Sequence, residues 1–547
     1  MRLRLATTVS AICLIAPAAL CFRPQGPGSS DDSVWINQGI LAALAQGATS
    51  YNLPAGTYNL ENPIVIPAGA QNFALLGAGS GKTVLTTPTG VLSKQAIQVG
   101  VNPVLSDNWW ITGSNNVPIN NVSTGQNTIK LVTPSASFRT GYYILWDAYK
   151  VICAKGPNDS MNHAEVVKVT AYNPNTGVAT IDTPAGREYT QTPMLAPYQG
   201  AVCTNITVSG IGFNGLTSSG SSEGILMVGI SDHVTVHDLS VVNFRSDAIM
   251  TNTARYVNIS NCSVSTTDDG DAGSGYGFAI YRSRFVTVQD SSAQQCRHGF
   301  IIHSGAMDVT LLRDTTYNGF DTHGYDERRI CLVNCTGDGG DIGNDAWLAG
   351  ANGVLIQGCN FNSTFGFHAN VRNVRVVNTT LASVGMYSVD PGTTPTVGVP
   401  AGGIADAILF ERCNIVGGGF TLFSEEGATK MGAITFAACS FENTGVDWGT
   451  CIDLAAIPGN INLISCNLKV DSSDHVIQLT DPARLNFIMR QCNLVGQGNL
   501  GVWISSAFGG FGQFIGNNYT SLAGSSASFL CDDTKKQISI NNTATLN

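Results

Sequence analysis

Arg412-Cys413-Asn414, Ala438-Cys439-Ser440, Ser465-Cys466-Asn467 and Gln491-Cys492-Asn493 are one phrase written four times, at steps of 26, 27 and 26 residues. Cys262, Cys335 and Cys359 sit in comparable phrases upstream. One cysteine per repeat, beside polar turn residues, predicts a stacked ladder of small buried thiols. Around these phrases run short β-branched segments: Val234-Thr235-Val236, Val257-Asn258-Ile259, Val286-Thr287-Val288, Val309-Thr310-Leu311, Val354-Leu355-Ile356 and Val374-Arg375-Val376. A recurring unit of this length marks a repeat array. Its alternation of apolar and polar residues marks strands, with no helical period. Strands stacked at a near-constant coil length build a right-handed parallel β-helix, rising ~4.8 Å per coil.

Composition agrees. Apolar residues make up 43%, charged residues 12%, and there are 61 glycines, a β-rich and turn-rich balance. A chain of 547 residues would ordinarily suggest several domains. A solenoid escapes that limit because each coil contacts only its neighbours. Residues 1–21 read as a secretory signal: Arg2 and Arg4, then an apolar run from Ala6 to Leu20 containing Pro17. Cleavage is expected between Ala18 and Cys21. Lipid modification of Cys21 is the lesser alternative, because Ala19-Leu20 makes a poor lipobox. No other stretch is long enough to span a membrane, so a secreted or cell-surface protein is expected. Disulfides are expected for a minority of cysteines at most, Cys153–Cys203 or Cys331–Cys335. The net charge of -10, or -12 without Arg2 and Arg4, argues against a nucleic-acid partner.

Residues 30–103 read as an N-terminal cap and the first coils. Asp31-Asp32 precedes a helical pattern from Trp35 to Ala45, with Asp or Ser as N-cap. A helix there would cover the open end of the solenoid. Gly77 to Thr83 fails as a phosphate loop, because position 76 is Leu where that motif needs Gly. Residues 104–200, with Trp109-Trp110, Tyr142-Tyr143 and Val166 to Val169, interrupt the coils as a small insertion domain or large β-rich loops. Residues 201–547 carry the remaining coils. A Pro-, Gly- and Thr-rich loop at 383–403 is of the kind that walls a groove. The run Asp31-Asp32, Ile40, Ala42-Ala43, Leu53-Pro54-Ala55-Gly56-Thr57-Tyr58 and Leu76-Gly77-Ala78-Gly79 resembles the N-terminal cap of the pectate-lyase-like superfamily. That superfamily includes pectate lyases, rhamnogalacturonases, phage tailspikes and mannuronan C5-epimerase modules. The resemblance implies a β-helix that works on a polysaccharide.

Aligning the coils on their strand starts places Glu223, Asp247, Tyr276, His298, His323, Asp345 and His368 in one column, at steps of 24, 29, 22, 25, 22 and 23 residues. Arg297 and Asp321 lie within two residues of it. Three histidines in this column, of eight in the chain, exceed what a structural polar edge needs. Asp268, Asp269 and Asp271 form a Gly-rich bulge from the same edge and offer hard oxygen ligands for Ca2+.

Two reactions fit these groups. Proton abstraction beside a uronate carboxylate, giving elimination or epimerisation, needs a base such as His298 or His323, a cation such as Arg297, and a second proton carrier such as Tyr276. Glycoside hydrolysis needs two carboxylates, for which Asp247, Asp268, Asp269, Asp271 and Asp321 are candidates. Gly319-Phe320-Asp321-Thr322-His323 and Arg297-His298-Gly299-Phe300 resemble the Gly-Phe-Asp-Pro-His and Arg-His-Gly-Phe motifs of the mannuronan C5-epimerases, with Thr322 in place of Pro and the order reversed. The resemblance implies roles for Asp321, His323, Arg297 and His298; the column adds Asp345 to the catalytic candidates and Asp247, Glu223 and His368 as substrate contacts. Asp268-Asp269, Arg297-His298-Gly299 and Arg329-Ile330 loosely resemble the polygalacturonase pattern. A glycan-binding or surface-structural β-helix without catalysis is the third alternative.

Overall fold

The computed structural model describes residue 28 and residues 30–546, except 88–91, 101–114, 152–160, 199–201, 218–219, 266–274, 323–325, 338–343, 349–350, 368–370, 387–405, 423–431, 444–450, 455–458, 471–474, 480–484, 499, 506–507, 523–526 and 533–536. The chain is a parallel β-solenoid. One sheet holds 16 strands in chain order, from Ser50–Leu53 and Gln71–Gly77 through Cys203–Ser209 to Gln537–Ile540. Register is constant from coil to coil, so Val234, Val257 and Val286 stand opposite one another. Two further strips of strands complete each coil. They merge where Asn360–Phe367, Thr380–Met386 and Asn414–Leu422 run through both.

The corner that leaves the 16-stranded sheet explains the repeated phrase. A single residue turns the chain there with positive φ: Asn261 (51°), Asp290 (53°), Arg313 (57°), Asn334 (54°), Arg412 (52°), Ala438 (54°), Ser465 (55°) and Gln491 (53°). The next residue points inward, and its side chain accepts the same position's N–H from the preceding coil. Ser291 Oγ accepts the Cys262 amide at 3.2 Å, and Asp314 Oδ1 accepts the Ser291 amide at 2.9 Å. Cys359 Sγ accepts that of Cys335, and Thr379 Oγ1 that of Cys359. Cys492 Sγ accepts Cys466, and Asn517 Oδ1 accepts Cys492. The ladder therefore selects a small buried acceptor, and cysteine is one of several that serve. Cys203, Cys331 and Cys335 are free thiols, and Cys203 Sγ donates to the Pro67 carbonyl at 3.2 Å, so the disulfide expectation does not hold for them. Cys153 lies outside the described residues.

The helix Ser33–Ala45 packs Ile36 and Ile40 into the apolar column at the first coils. Asp32 precedes it without capping it: Oδ1 accepts Trp35 Nε1 at 3.0 Å, and Oδ2 accepts the Asn59 amide at 2.8 Å. Its carboxylate thus ties the helix to the first coil. At Leu76-Gly77 a Cβ on Gly77 would lie 2.1 Å from the Gly210 carbonyl oxygen, so close coil stacking dictates that glycine. Of the 383–403 loop, residues 383–386 belong to the strand Thr380–Met386, and 387–403 lie outside the described residues. Among the described residues no helix is long and apolar enough to cross a membrane.

Between coils the chain builds a second body. Val117–Pro118, Thr128–Lys130, Gly141–Val151, Met161–Asn173, Val178–Ile181 and Met194–Pro197 form a six-stranded antiparallel sheet. An Ile119–Leu131 bridge joins its edge strands and closes it into a barrel around Leu145, Val167, Ile181 and Leu195. Closure removes the exposed edges that loops or an open sheet would leave. Strands Gln71–Gly77 and Cys203–Ser209 pair directly, so the insertion does not interrupt the stack.

The barrel docks on the strand starts of the 16-stranded sheet through an ionic seam that is buried at Glu165–Arg284 and open to solvent at Glu188–Arg328. Asp182 binds Arg255 through both carboxylate oxygens, at 2.9 and 2.6 Å. Glu165 binds Arg284 at 2.6 Å, and Glu188 binds Arg328 at 2.7 and 3.0 Å. Asp232, Arg255, Arg284, Met307 and Arg328 occupy one register position in successive coils. Three acids on the barrel thus meet three arginines on that row.

Two expected outcomes follow from the corner. Cys466 Sγ receives the Cys439 amide, and Thr would keep an acceptor there where Val would not. Cys466→Val should cost about 1–3 kcal/mol more than Cys466→Thr, seen as a lower thermal midpoint; equal midpoints would refute the acceptor role. Burial pushes the Asp314 carboxyl up to about 7. A carboxyl raised above its unfolded value loses stability as pH rises from about 4 to about 7. Asp314→Asn should therefore be near neutral at the acid end and gain stability across that window, by roughly 2–4 kcal/mol. A gain that does not change with pH would contradict the assignment.

Candidate active site

The strip carrying Leu226–Val228, Asp247–Asn252, Tyr276–Tyr281, His298–His303 and Phe320–Thr322 differs from the rest of the solenoid. Strands of the 16-stranded sheet alternate in burial, as Arg284–Gln289 does. In Asp247–Asn252 and Tyr276–Tyr281 all six residues are buried. The inward side holds Phe278, Phe300 and Phe320, stacked at 4.6 and 5.1 Å. The outward side holds a separate apolar patch of Met227, Met250, Tyr276, Ala279, Tyr281 and Ile301. Runs such as Gly299-Phe300-Ile301-Ile302, apolar without alternation, are the sequence signal for a strand shielded on both faces.

Ionisable groups stand on this shielded outward face. Asp247, Tyr276 and His298 occupy one register position in three successive coils. The Tyr276 and His298 rings stack with centroids 5.5 Å apart, 28° from parallel. His298 Nδ1 pairs with Asp321 Oδ2, reaching diagonally to the following coil; the two side chains are 12% and 2% exposed. Asp321 stands opposite Ile301 in that ladder. The Arg297 guanidinium lies 5.9 Å over the Tyr276 ring, and its Nη1 is buried without a hydrogen-bond partner among the described residues. Tyr281 donates to Asp247 Oδ1 at 3.1 Å, and Ser246 Oγ donates to Oδ2 at 3.4 Å. Burial, with the Glu223 charge adding to it, pushes the Asp247 carboxyl up to about 7. Burial also carries Tyr276 up to about 12, with Arg297 opposing and Asp247 and Asp321 adding to the rise.

The remaining column residues are placed differently. Leu226 stands opposite Ile249, so Gly224 is level with Asp247, and Glu223 is one residue out. There it pairs with Arg245 at 3.0 Å. Phe300 stands opposite Phe320, which sets Asn318 level with His298, and Ala346 stands opposite Phe320, which sets Gly319 level with Asp345. The chain turns into this strand at Gly319, with φ +79°. A bulge then shifts the next pairing, and Phe367, at the end of its strand, is level with Leu348. His323, His368, Asp268, Asp269 and Asp271 lie outside the described residues, and so does any cation site on those three acids. Among the described residues no three His, Cys, Asp or Glu are grouped to hold a metal ion.

The sequence reading missed Tyr281 and Ser246, which hold Asp247, and the seam cluster around His163. His163 Nε2 lies 2.6 Å from Asp326 Oδ2, and Arg187 Nη1 lies 2.7 Å from the same oxygen. Burial, with Arg187 adding, lowers the His163 imidazole, while Asp326 opposes. The readable signal was the arginine that opens Arg255–Ser260, Arg284–Gln289 and Arg328–Val333, three of four successive coils.

The fold defines a parallel β-solenoid bearing an inserted antiparallel barrel. No family model and no curated protein matches the chain. Among solved structures it is similar to the tailspike of Acinetobacter baumannii bacteriophage AP22, determined in complex with A. baumannii capsular saccharide. That match has a TM-score of 0.50 at 8% identity, over 90% of this chain and 75% of that one. The tailspike of Pseudomonas phage phi297 gives TM-score 0.45 and 13% identity over 91% of this chain and 72% of that one. The A-module of an Azotobacter vinelandii mannuronan C-5 epimerase gives TM-score 0.36 and 12% identity over 96% and 97%. At these identities the likeness is one of fold.

The two influences on Asp247 can be separated. Glu223→Gln removes a nearby negative charge and should lower the Asp247 titration midpoint from about 7. Tyr281→Phe removes a hydrogen bond to the carboxylate and should raise it. Carboxyl-carbon NMR titration reads both, and shifts in one common direction would refute this geometry.

Proposed function

We propose that the chain is an exported carbohydrate-active protein that removes a proton beside a uronate carboxylate in a polysaccharide, as a lyase or an epimerase. The observation that carries this reading is the His298–Asp321 pair, stacked on Tyr276, with Arg297 Nη1 beside it, buried and without a hydrogen-bond partner among the described residues. Asp321 accepts from His298 Nδ1 and leaves Nε2 as the base. Arg297 faces the carboxylate and the charge that spreads onto it when the C5 proton leaves. In elimination the electron pair forms the new double bond, the C4–O4 bond breaks, and the leaving oxygen takes a proton from Tyr276. In epimerisation C5 takes a proton back on the opposite face. Tyr276, held up to about 12, stays protonated at neutral pH and suits the donor role. The capsular-saccharide complex of the AP22 tailspike agrees with a glycan as substrate class.

Asp247 supports a second reading, glycoside hydrolysis, because a carboxyl at about 7 is still partly protonated at neutral pH and can act as a general acid. Incubation with a panel of uronans and neutral glycans separates the two. Ultraviolet absorbance from an unsaturated product marks elimination, and altered uronate stereochemistry by NMR marks epimerisation. New reducing ends without absorbance mark hydrolysis. His298→Ala is expected to lower kcat about 100-fold or more while the protein stays folded. Unchanged turnover in folded His298→Ala would overturn the assignment, and binding without turnover on every glycan would favour a glycan-binding role.

A further inference from the structure

Arg187 belongs to the barrel, yet it is fully buried and bridges two coils of the solenoid. Its Nη2 donates to the Gly305 carbonyl, and its Nε lies 3.2 Å from Met307 Sδ. Its Nη1 donates to Asp326 Oδ2 at 2.7 Å, and Nη2 also reaches the Asp326 carbonyl at 3.3 Å. Gly305 and Asp326 belong to different coils. Gly305 comes two residues after the end of the strand His298–His303, and Asp326 four residues after Phe320–Thr322. These are the strands that carry His298 and Asp321.

The corner at Gly305 is built to receive this guanidinium. Gly305 has φ +75°, and a Cβ there would lie 2.9 Å from Arg187 Nη1. Its amide donates to Glu327 Oε1 at 3.2 Å, which ties the same two coils together from the solenoid side. The preceding residue, Ser304, hydrogen-bonds His303 Nδ1 at the end of the strand that begins at His298.

We propose that Arg187 is a positioning residue for the His298–Asp321 pair: by gripping the corners after both strands, the barrel fixes the spacing of the two coils and hence the hydrogen bond between imidazole and carboxylate. This rests on the reading of His298 and Asp321 as the reacting pair. A planar guanidinium can hold two carbonyls and a carboxylate at once, whereas a lysine ammonium at the same place keeps the charge but cannot span both corners. The charged and titratable groups around Arg187 are Asp326, Glu327 and His163, and around His298 they are Asp321, Tyr276 and Arg297. Arg187 acts on the pair through the Gly305 and Asp326 carbonyls that it holds.

The test is the low-field Nδ1–H proton resonance of the carboxylate-bonded imidazole, assigned by its loss in His298→Gln. It is recorded in the full-length protein, in Arg187→Lys and in the double variant Arg187→Gln/Asp326→Asn, which leaves no unpaired charge at the seam. Circular dichroism and the thermal midpoint show which variants stay folded. The expected result is an upfield shift or loss of that resonance in folded variants. On whichever glycan the wild type turns over, kcat should fall about tenfold with KM changed less than twofold. An unchanged resonance in both variants overturns the positioning role. A shifted resonance in a protein that turns over no glycan leaves Arg187 as the positioning residue and removes the catalytic reading instead.

Discussion

Each coil must find an acceptor for the amide that follows its left-handed corner, and the solenoid depends on how it does so. The amide points into the apolar interior, where an unpaired N–H costs about 1–3 kcal/mol. Coils from Cys262 to Asn517 meet the need with a side chain from the coil after, so that part of the stack is joined by side chains at the corner as well as by sheet ladders on its faces. Cys359, Thr379, Cys492, Asn517 and Asn542 are chemically different answers to one demand: small, inward and able to accept. Asp314 answers it with a carboxyl, and burial holds that carboxyl near 7.

The same constant register supplies the site. A position near the strand start in one coil lies one coil spacing, about 5 Å, from its equivalent in the next. Chemistry that needs three or four groups in contact can therefore be assembled from residues more than twenty apart in sequence. Asp247, Tyr276 and His298 are such a set, and Asp321 joins them by a diagonal step. The site strip differs from its neighbours because its outward face is shielded. That shielding raises Asp247 and Tyr276 and gives each hydrogen bond there more weight than it would have in water.

How much of this was legible varies with the kind of signal. The β-helix was readable because the corner repeats a local rule in every coil, and the Cys phrase reports that rule directly. The column was readable at Asp247, Tyr276 and His298, where the coil lengths are set by strand pairing. In the next coil the position level with His298 is Asn318, reached because Gly319 turns the chain early, a backbone decision that a matching His-Gly pair cannot reveal. The barrel was visible as β-rich sequence. Its closure depends on a bridge between Ile119 and Leu131 that no pattern specifies. The seam was hidden for a related reason: Arg255, Arg284 and Arg328 look like ordinary strand-flanking charges until their partners Asp182, Glu165 and Glu188 fold over them.

That seam changes how the stack can come apart. A one-dimensional array sheds coils from its ends, each loss costing only the interface to one neighbour. The barrel instead crosses several coils at once, from Arg255 to Arg328, and it is made of one continuous stretch of chain. To open the Arg284 coil the protein must also strip the buried Glu165–Arg284 pair, and removing one partner of such a pair costs about 3–5 kcal/mol. The coils that carry His298 and Asp321 are therefore clamped sideways as well as end to end. Fraying that begins elsewhere in the solenoid halts at the brace.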